Sequence, residues 1–267
     1  ECASLSAITI PAGVTSIGSS AFRDAGIESL TIPYLVTDIG SYFVGDCESL
    51  TQVTILTPNA TYSSSSFNYF PEDAKLYCRY NSTATAAADS QNVSYEYLSS
   101  TVSLTANSDE YTNTGLTAYS GFAELYGFEA SGASRSGETS VLDALLAAHL
   151  DQYGDAFTAE NYRQFFDVTE DGEVVKAFEL PVANFSVAIN GNTITSSIFE
   201  TAVNDDDVIA VTYTQTAPTY DYMYNNNKIR TLTVRPQVGY TIMLVDGTLA
   251  LEGMDVYVTT ADDVSNI

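Results

Sequence analysis

Three apolar stretches with the same pattern follow one another early in the chain. Residues 5–11, 27–33 and 50–56 are spaced 22 and then 23 residues apart, and residues 14–18 are repeated as residues 36–40. Within each stretch, apolar side chains alternate with polar ones, which is typical of a short β-strand with one buried face. A unit this short cannot enclose a core alone. The pattern therefore predicts a solenoid of stacked coils that cover each other's aliphatic side chains.

The first stretch predicts how each strand is oriented and where it ends. We expect Ile8 and Ile10 to point into the coil, because they lie two residues apart. Pro11 and Pro33 follow the apolar positions in their repeats. Proline cannot donate another ladder hydrogen bond, so we expect the strands to end there.

A closing unit is predicted after the repeats. Residues 74–78 and 93–97 have strand patterns, and residues 82–88 predict a short helix that begins after Ser82 as its N-cap. We therefore assign the repeats and their C-terminal cap to residues 1–98.

The combined motif of this region has a specific form. From Cys2 onward it is Cys-x-x-Leu-x-x-Ile-x-Ile-Pro-x-x-Val-Thr-x-Ile-Gly-x-x-Ala-Phe, which resembles the BspA-like, or treponemal-type, leucine-rich repeats. The sequence departs from the pattern at Leu56, where proline is expected, and in the serine-rich residues 62–67. The resemblance implies a bacterial protein, attached to the surface or secreted, that binds host or matrix molecules and uses no catalytic residues. Because the chain opens in mid-repeat, we expect the array to extend upstream.

The central segment predicts helices and strands in alternation. An amphipathic helix is predicted from Val141, with Ser140 as its N-cap and Gly154 as its stop, and a second short helix over residues 159–166. Strands are predicted over 185–189, 193–198 and 208–213. The first two are joined by a tight turn at 190–192, because Asn-Gly favours positive φ.

Residues 136–145, 187–191 and 205–213 together resemble the transcobalamin-like C-terminal domain family. The resemblance implies a compact α+β, β-grasp-like domain over residues 99–216. Cobalamin binding by vertebrate relatives is not carried over, because no ligand residues can be matched.

Residues 217–267 form a β-rich segment, with strands predicted over 229–234, 240–245 and 255–259. They could belong to a partial immunoglobulin-like module, which we favour, or extend the central domain. Tyr220, Tyr222 and Tyr224 alternate just before these strands. They are candidate ligand-binding residues, since aromatic faces stack on sugar rings, but an ordinary strand face has the same pattern.

Charge and composition narrow the range of partners. The chain has 34 acidic and 9 basic residues, for a net charge of -25, so nucleic acid and anionic lipid are repelled. No apolar stretch is long enough to span a membrane. The abundance of tyrosine and neutral polar residues suggests an extracellular protein.

The remaining candidates for chemistry all have simpler structural interpretations. His149 is the single histidine, and no nucleophile motif accompanies it. Cys2 and Cys47 are predicted two repeats apart, too far for a disulfide, and Cys78 is expected to be buried. Residues 205–207, and the acidic loop around 167–173, could bind calcium, but a solvated turn fits their spacing better.

The sequence thus predicts a multidomain fold: a leucine-rich-repeat solenoid, a β-grasp-like α+β domain and a β-rich C-terminal segment. The predicted function is non-catalytic binding or adhesion to an extracellular protein or glycan, without a cofactor. The alternative is a receptor for a small ligand or Ca²⁺ through the central domain. A glycosidase with paired carboxylates is disfavoured, because no catalytic motif is present. The partner's identity and the oligomeric state are left open.

Overall fold

The computed structural model describes residues 5–107, 110–169 and 172–216, and after them the backbone of six short strands between Thr219 and Asn266. The chain divides into two compact units. The first comprises Glu1–Arg163 and Ser186–Thr212, and the second comprises Gln164–Phe185 and Tyr213–Ile267. The predicted domain boundaries stay a prediction.

The first unit begins with a β-solenoid over residues 16–97. Its strands form two parallel sheets, one in the order β2-β4-β6-β7 and the other in the order β1-β3-β5. The elements are β1 (Ser16–Ile17), β2 (Ser29–Ile32), β3 (Asp38–Ile39), β4 (Gln52–Ile55), β5 (Thr61–Tyr62), β6 (Lys75–Cys78), α1 (Thr83–Ser90) and β7 (Tyr95–Tyr97).

The predicted stacking of aliphatic side chains is confirmed in these coils. The strand register places Leu30 beside Val53 and Val53 beside Leu76, and these side chains are 2%, 0% and 1% exposed. The predicted closing helix is confirmed as α1, whose N-cap Ser82 accepts a hydrogen bond from the Ala84 amide. Each coil therefore supplies one layer of a continuous core.

The expectation for the first stretch is wrong at Ile8. This side chain is 37% exposed, Ile10 is only partly buried, and no strand forms there. The equivalent Leu30 is enclosed by coils on both sides, whereas the first stretch has a described neighbour on one side only.

The rest of the first unit is a mixed, β-rich region with one main helix. Its strands β8 and β9 form an antiparallel hairpin, and residues 208–211 pair in parallel with residues 103–106 of β8. The elements here are β8 (Ser99–Ala106), β9 (Tyr111–Tyr119), α2 (Gly132–Ser136), β10 (Thr139–Ser140), α3 (Val141–Tyr153), the end of β13 (Leu180–Ile189), β14 (Asn192–Thr193), β15 (Ala202–Val203) and the start of β16 (Val208–Gln215).

The predicted main helix is confirmed as α3, with its predicted boundaries. Ser140 Oγ accepts from the Asp143 amide, and Asp143 Oδ2 accepts from the Ser140 amide at 2.9 Å, which completes a capping box. Gly154 is the C-cap. The second predicted helix is wrong: residues 159–166 form only the 3-10 turn Tyr162–Gln164.

The predicted Asn-Gly turn is confirmed between β13 and β14. Asn190 and Gly191 have φ of 52° and 80°, and Ile189 pairs with Asn192. The predicted strand over 193–198 is wrong, because β14 ends at Thr193. Beyond it, Ser197 O accepts from the Thr201 amide and hydroxyl, so local turn hydrogen bonds replace the ladder.

The second unit is also β-rich. It contains β11 (Asp167–Val168) and β12 (Val174–Ala177), which pair with each other, and the start of β13, which pairs with β12. Four further strands pair in the order β17-β18-β21-β22, and β19 pairs with β20. These are β17 (Thr219–Tyr220), β18 (Thr231–Arg235), β19 (Met243–Val245), β20 (Thr248–Ala250), β21 (Asp255–Thr259) and β22 (Val264–Asn266). The predicted strand over 255–259 is confirmed. The strands predicted over 229–234 and 240–245 are confirmed at 231–234 and 243–245, and the other residues of both predictions lie outside the described residues. The immunoglobulin-like assignment stays a prediction.

Candidate binding surface

The outward face of the β2-β4-β6-β7 sheet presents polar side chains in regular rows. Because side chains alternate along a strand, the residues between the buried positions point away from the core. The register aligns Ser29, Gln52 and Lys75 in one row, and Thr31, Thr54 and Tyr77 in a second. Hydroxyl and amide groups on a rigid parallel sheet can hydrogen-bond a ligand laid across the coils.

Two contacts within this face fix its polar groups. Gln52 Nε2 donates to Thr54 Oγ1 at 3.0 Å, and Lys75 Nζ binds Glu96 Oε1 at 3.0 Å. The ion pair is exposed and contributes little stability. Each row begins on β2, at Ser29 or Thr31, and these two residues lie beside a cavity.

This cavity, which we call the α2 pocket, has a volume of about 750 Å³. It lies within the first unit, where the sheet face, the loop that follows β2 and helix α2 meet. It is lined by Ala7, Ile8, Thr9, Ile10, Ala12, Ser29, Thr31, Pro33, Tyr34, Leu35, Leu56, Gly132, Arg135 and Ser136. Cavities of this size accommodate drug-sized ligands or a few residues of a peptide.

Two caps, Ser131 and Gly137, place α2 at the rim of the pocket. Ser131 accepts from the Ser134 amide at the start of the helix, and Gly137 ends it with a φ of 87°. A Cβ at Gly137 would lie 2.6 Å from Leu56 Cδ2. Glycine is therefore needed both for the left-handed backbone and for close packing on Leu56.

Two guanidinium groups lie over the ring of Tyr34. The Cζ atoms of Arg79 and Arg135 are 5.2 and 5.3 Å from its centroid, in the range of cation–π contacts. This contact holds the Arg135 side chain at the pocket although the residue is exposed. The Arg135 guanidinium makes no hydrogen bond or ion pair with any residue in the described ranges, although the backbone amide of Arg135 donates to Ser131 O at 2.9 Å.

Arg79 is the most deeply buried charge near the pocket. It is fully buried, and its Nη2 donates to Glu124 Oε1 and to Ser134 Oγ. Its Nε and Nη1 have no hydrogen-bond partner among the described residues. A Cβ at Gly121 would lie 2.7 Å from Nη2, so glycine is needed there to make room for the guanidinium.

A group of aromatic side chains with one arginine lies on the turns that connect the strands of the coils. Tyr42 and Tyr69 stack with centroids 5.9 Å apart, and Arg23 Cζ lies 5.6 and 5.5 Å from the two rings. Arg23 also binds Asp46 at 2.6 Å. We call this group the tyrosine turn patch. Its arginine is neutralised by an acid, unlike Arg135.

The tyrosines predicted from sequence are mostly outside the described residues. Tyr220 lies in β17 and pairs with Leu232, while Tyr222 and Tyr224 fall outside the described ranges. Their role in ligand binding stays a prediction.

The acidic turn at 205–207 is tied into the fold. Asp205 Oδ1 accepts from the Thr101 amide at 2.8 Å, and Asp207 accepts from the Asn204 amide at 2.8 Å and from Asn190 Nδ2 at 2.6 Å. Within the described residues, no cluster of three or more His, Cys, Asp or Glu side chains is arranged to hold a metal ion. In the second acidic loop, residues 170 and 171 lie outside the described ranges.

His149 and the described cysteines have structural environments. His149 is fully buried, with Nδ1 2.7 Å from Leu145 O, and burial lowers its pKa to about 4. Cys47 and Cys78 are free and buried, and burial raises the pKa of each thiol, that of Cys78 to about 12. These groups are therefore uncharged at neutral pH. The predicted position of Cys2 lies outside the described residues.

Sequence reasoning missed the α2 pocket, although one signal was present. Where the first repeat has Ala12 and Gly13 after its proline, the second has Tyr34 and Leu35, two large side chains at the outer edge of the sheet. Leu56 was noted only as a departure from the repeat pattern. Arg135 belongs to no recognisable sequence motif, and it is close to Tyr34 only in the folded chain.

The comparisons with known proteins identify the repeat region. Residues 1–106 match the family described as "BspA type Leucine rich repeat region (6 copies)". Proteins with such repeats are generally surface adhesion or binding proteins. No curated protein and no solved structure matches the chain. Nothing in these comparisons supports the transcobalamin-like prediction for residues 99–216, which stays a prediction. No helix in the described residues is long and apolar enough to cross a membrane.

Proposed function

We propose that this chain is a non-catalytic binding protein, secreted or attached to a bacterial surface. In this proposal, an extracellular macromolecule binds across the outward face of the β2-β4-β6-β7 sheet. The observation that supports it is the pair of outward-facing polar rows, one exposed and the other partly buried, which lead into the α2 pocket. The general role of BspA-type repeat proteins in adhesion points the same way.

The sheet face suits this role because its backbone is held on both sides by neighbouring coils. Side chains that project from a rigid scaffold lose little entropy when a partner binds. The polar side chains on this face carry hydroxyl and amide groups that can both donate and accept hydrogen bonds. A protein or glycan surface can therefore be recognised without a catalytic group.

The test is binding to a panel of immobilised mucins, matrix proteins and glycans, with two matched variants. Thr31→Arg places a bulky charge on β2, at the edge of the sheet face that borders the α2 pocket. Thr61→Arg makes the same change at an exposed threonine of β5, in the other sheet. We expect a panel member to bind the parent chain and Thr61→Arg, and to lose affinity for Thr31→Arg. Equal binding by both variants, or no binding by the parent chain, would contradict the proposal.

A small-ligand receptor is the second candidate, and strand order favours it. In the first unit the strands follow the order β9-β8-β16-β13, with β8 and β16 parallel in the centre and α3 in the connection between β9 and β13. A β-grasp-like module has this arrangement, which supports the transcobalamin-like prediction. A thermal-shift screen with Ca²⁺ and corrinoids tests it, because a ligand of the native state raises the melting temperature. No shift with either would remove this candidate.

A further inference from the structure

We propose that the α2 pocket binds an acidic peptide segment of the partner, with a carboxylate at Arg135 and a neighbouring aliphatic side chain between Leu35 and Leu56. The inference rests on the proposed function and names the chemistry that the pocket selects. The carboxylate can come from an Asp or Glu side chain or from a chain terminus.

The first argument is the segregation of charge. The chain has 34 acidic residues, yet none of the residues that line the α2 pocket is acidic. The one charged side chain in the lining is Arg135, which has no anionic partner in the described part of the chain. Two acids outside the lining are held by lining residues of α2 and do not pair with Arg135: Glu200 accepts from the Gly132 amide, and Glu138 from Ser136 Oγ. An anion in the pocket would give Arg135 its missing partner.

The second argument is the balance of charge around Tyr34. Arg79 and Arg135 both lie over Tyr34, whereas Glu124 is the only acid paired with either of them in the described residues. Arg79 is fully buried and is paired with Glu124, so the net positive charge beside Tyr34 is that of Arg135. Because Arg135 is already held over the ring, less side-chain entropy is lost when it binds a carboxylate.

The third argument concerns the apolar wall, which favours a peptide over a sugar. Leu35 is 51% exposed and Ile8 37% exposed, so the pocket offers aliphatic surface to a ligand. Sugars bind best to flat aromatic faces. The one aromatic residue in the lining, Tyr34, already lies under two guanidinium groups. The hydroxyls of Ser29 and Thr31 can bind peptide amides beside the aliphatic wall.

The experiment uses the full chain on a microarray of random peptides, printed in two orientations, with either the carboxyl or the amino terminus free. We expect the bound peptides to be enriched in an aliphatic residue next to Asp or Glu, or next to the free carboxyl terminus. The two orientations distinguish these sources. The strongest peptide is then titrated against variants by fluorescence anisotropy.

Three variants make the titration specific to the pocket. Arg135→Gln removes the cation and should weaken binding about 10-fold or more, the loss of one charge-assisted hydrogen bond. Leu35→Glu adds an acid to the exposed wall and should have a similar effect. Arg23→Gln makes the same charge change in the tyrosine turn patch and should leave affinity unchanged. Unaltered thermal unfolding of each variant shows that it is folded.

The inference is overturned if the array selects no acidic peptides, or if Arg135→Gln and Arg23→Gln bind alike. It is also overturned if acidic glycans bind in an Arg135-dependent way and peptides do not. These results differ from a failure of the proposed function. If the chain binds the macromolecule panel normally while Arg135→Gln has no effect, the sheet face remains the binding surface and only the acidic-peptide inference falls.

Discussion

Replacing Gly40 with alanine is expected to destabilise the repeat stack, whereas the same change at Gly18 is not. The two glycines occupy the same step of successive repeats. A Cβ at Gly40 would lie 2.5 Å from Ser19 N and 2.8 Å from Ser19 Cα. A Cβ at Gly18 would have no heavy atom within 4 Å. The difference arises because one coil packs directly against the backbone of the coil before it.

The clash at Gly40 cannot be relieved by a side-chain rotation alone, because two of the three nearest atoms, Ser19 N and Cα, belong to the backbone. The Gly40 amide also donates to Ile17 O at 2.9 Å, so a shift would strain the hydrogen bond between the coils. Overpacking of this kind costs about 1–3 kcal/mol. At 2–4 °C per kcal/mol, the melting temperature should fall by about 2–12 °C. Gly18→Ala should be neutral or stabilise by about 0.4–1 kcal/mol, through the unfolded chain.

Thermal unfolding followed by circular dichroism measures both variants under identical conditions. Equal melting temperatures for Gly40→Ala and the parent chain would refute the close approach of these two coils. If Gly18→Ala lowered the melting temperature as much as Gly40→Ala, the effect would come from the loss of a glycine and not from the stacking of the coils.

Three further predictions concern buried groups of the first unit. Ser140→Ala removes the capping box of α3 and should lower the free energy of unfolding in urea by about 1–2 kcal/mol. His149 is buried and neutral, with its pKa lowered from 6.5 to about 4, so the unfolded state binds the proton more readily. The stabilisation that the neutral imidazole provides is complete above pH 6.5 and is lost as the pH falls towards 4. Over that pH range, the free energy of unfolding of the parent should fall by about 3 kcal/mol more than that of His149→Gln. Arg79→Met leaves Glu124 without its cation and should cost about 3 kcal/mol at neutral pH, part of which Arg79→Met/Glu124→Gln regains.

Each of these predictions has an outcome that contradicts it. An unchanged urea midpoint for Ser140→Ala would mean that the cap contributes nothing to α3. Parallel pH profiles for His149→Gln and the parent chain would place the imidazole in contact with water. A double variant less stable than Arg79→Met alone would show that Glu124 is not left unpaired by the loss of the cation.

The stacking of the coils could be predicted because it depends on a pattern that recurs within the sequence. Leu30, Val53 and Leu76 lie at matching steps, and the fold places them side by side with little exposure. The boundaries of α3 were also predictable, because capping by Ser140 and termination at Gly154 are local. Ile8 fits the same repeat pattern, but its burial requires a coil on each side. The pattern of residues 5–11 does not show whether both coils are present.

The pocket could not be predicted, because its parts are distant in sequence and locally unremarkable. Helix α2 has five residues, too few to show helical periodicity, and it depends on its caps and on Leu56. The buried Arg79 bonds Glu124 and Ser134, which lie 45 and 55 residues away. Arginine is ordinarily a surface residue, so nothing in the sequence indicates its burial.

Hydroxyl-radical footprinting of the chain, alone and with the macromolecule that the binding panel selects, tests the location of the binding surface most directly. Leu35 and Tyr77 mark the sheet face and its pocket, and Tyr69, 63% exposed, marks the tyrosine turn patch. If the sheet face is the binding surface, oxidation of Leu35 and Tyr77 falls on binding while that of Tyr69 is unchanged. Protection of Tyr69, with Leu35 and Tyr77 oxidised as before, would contradict it.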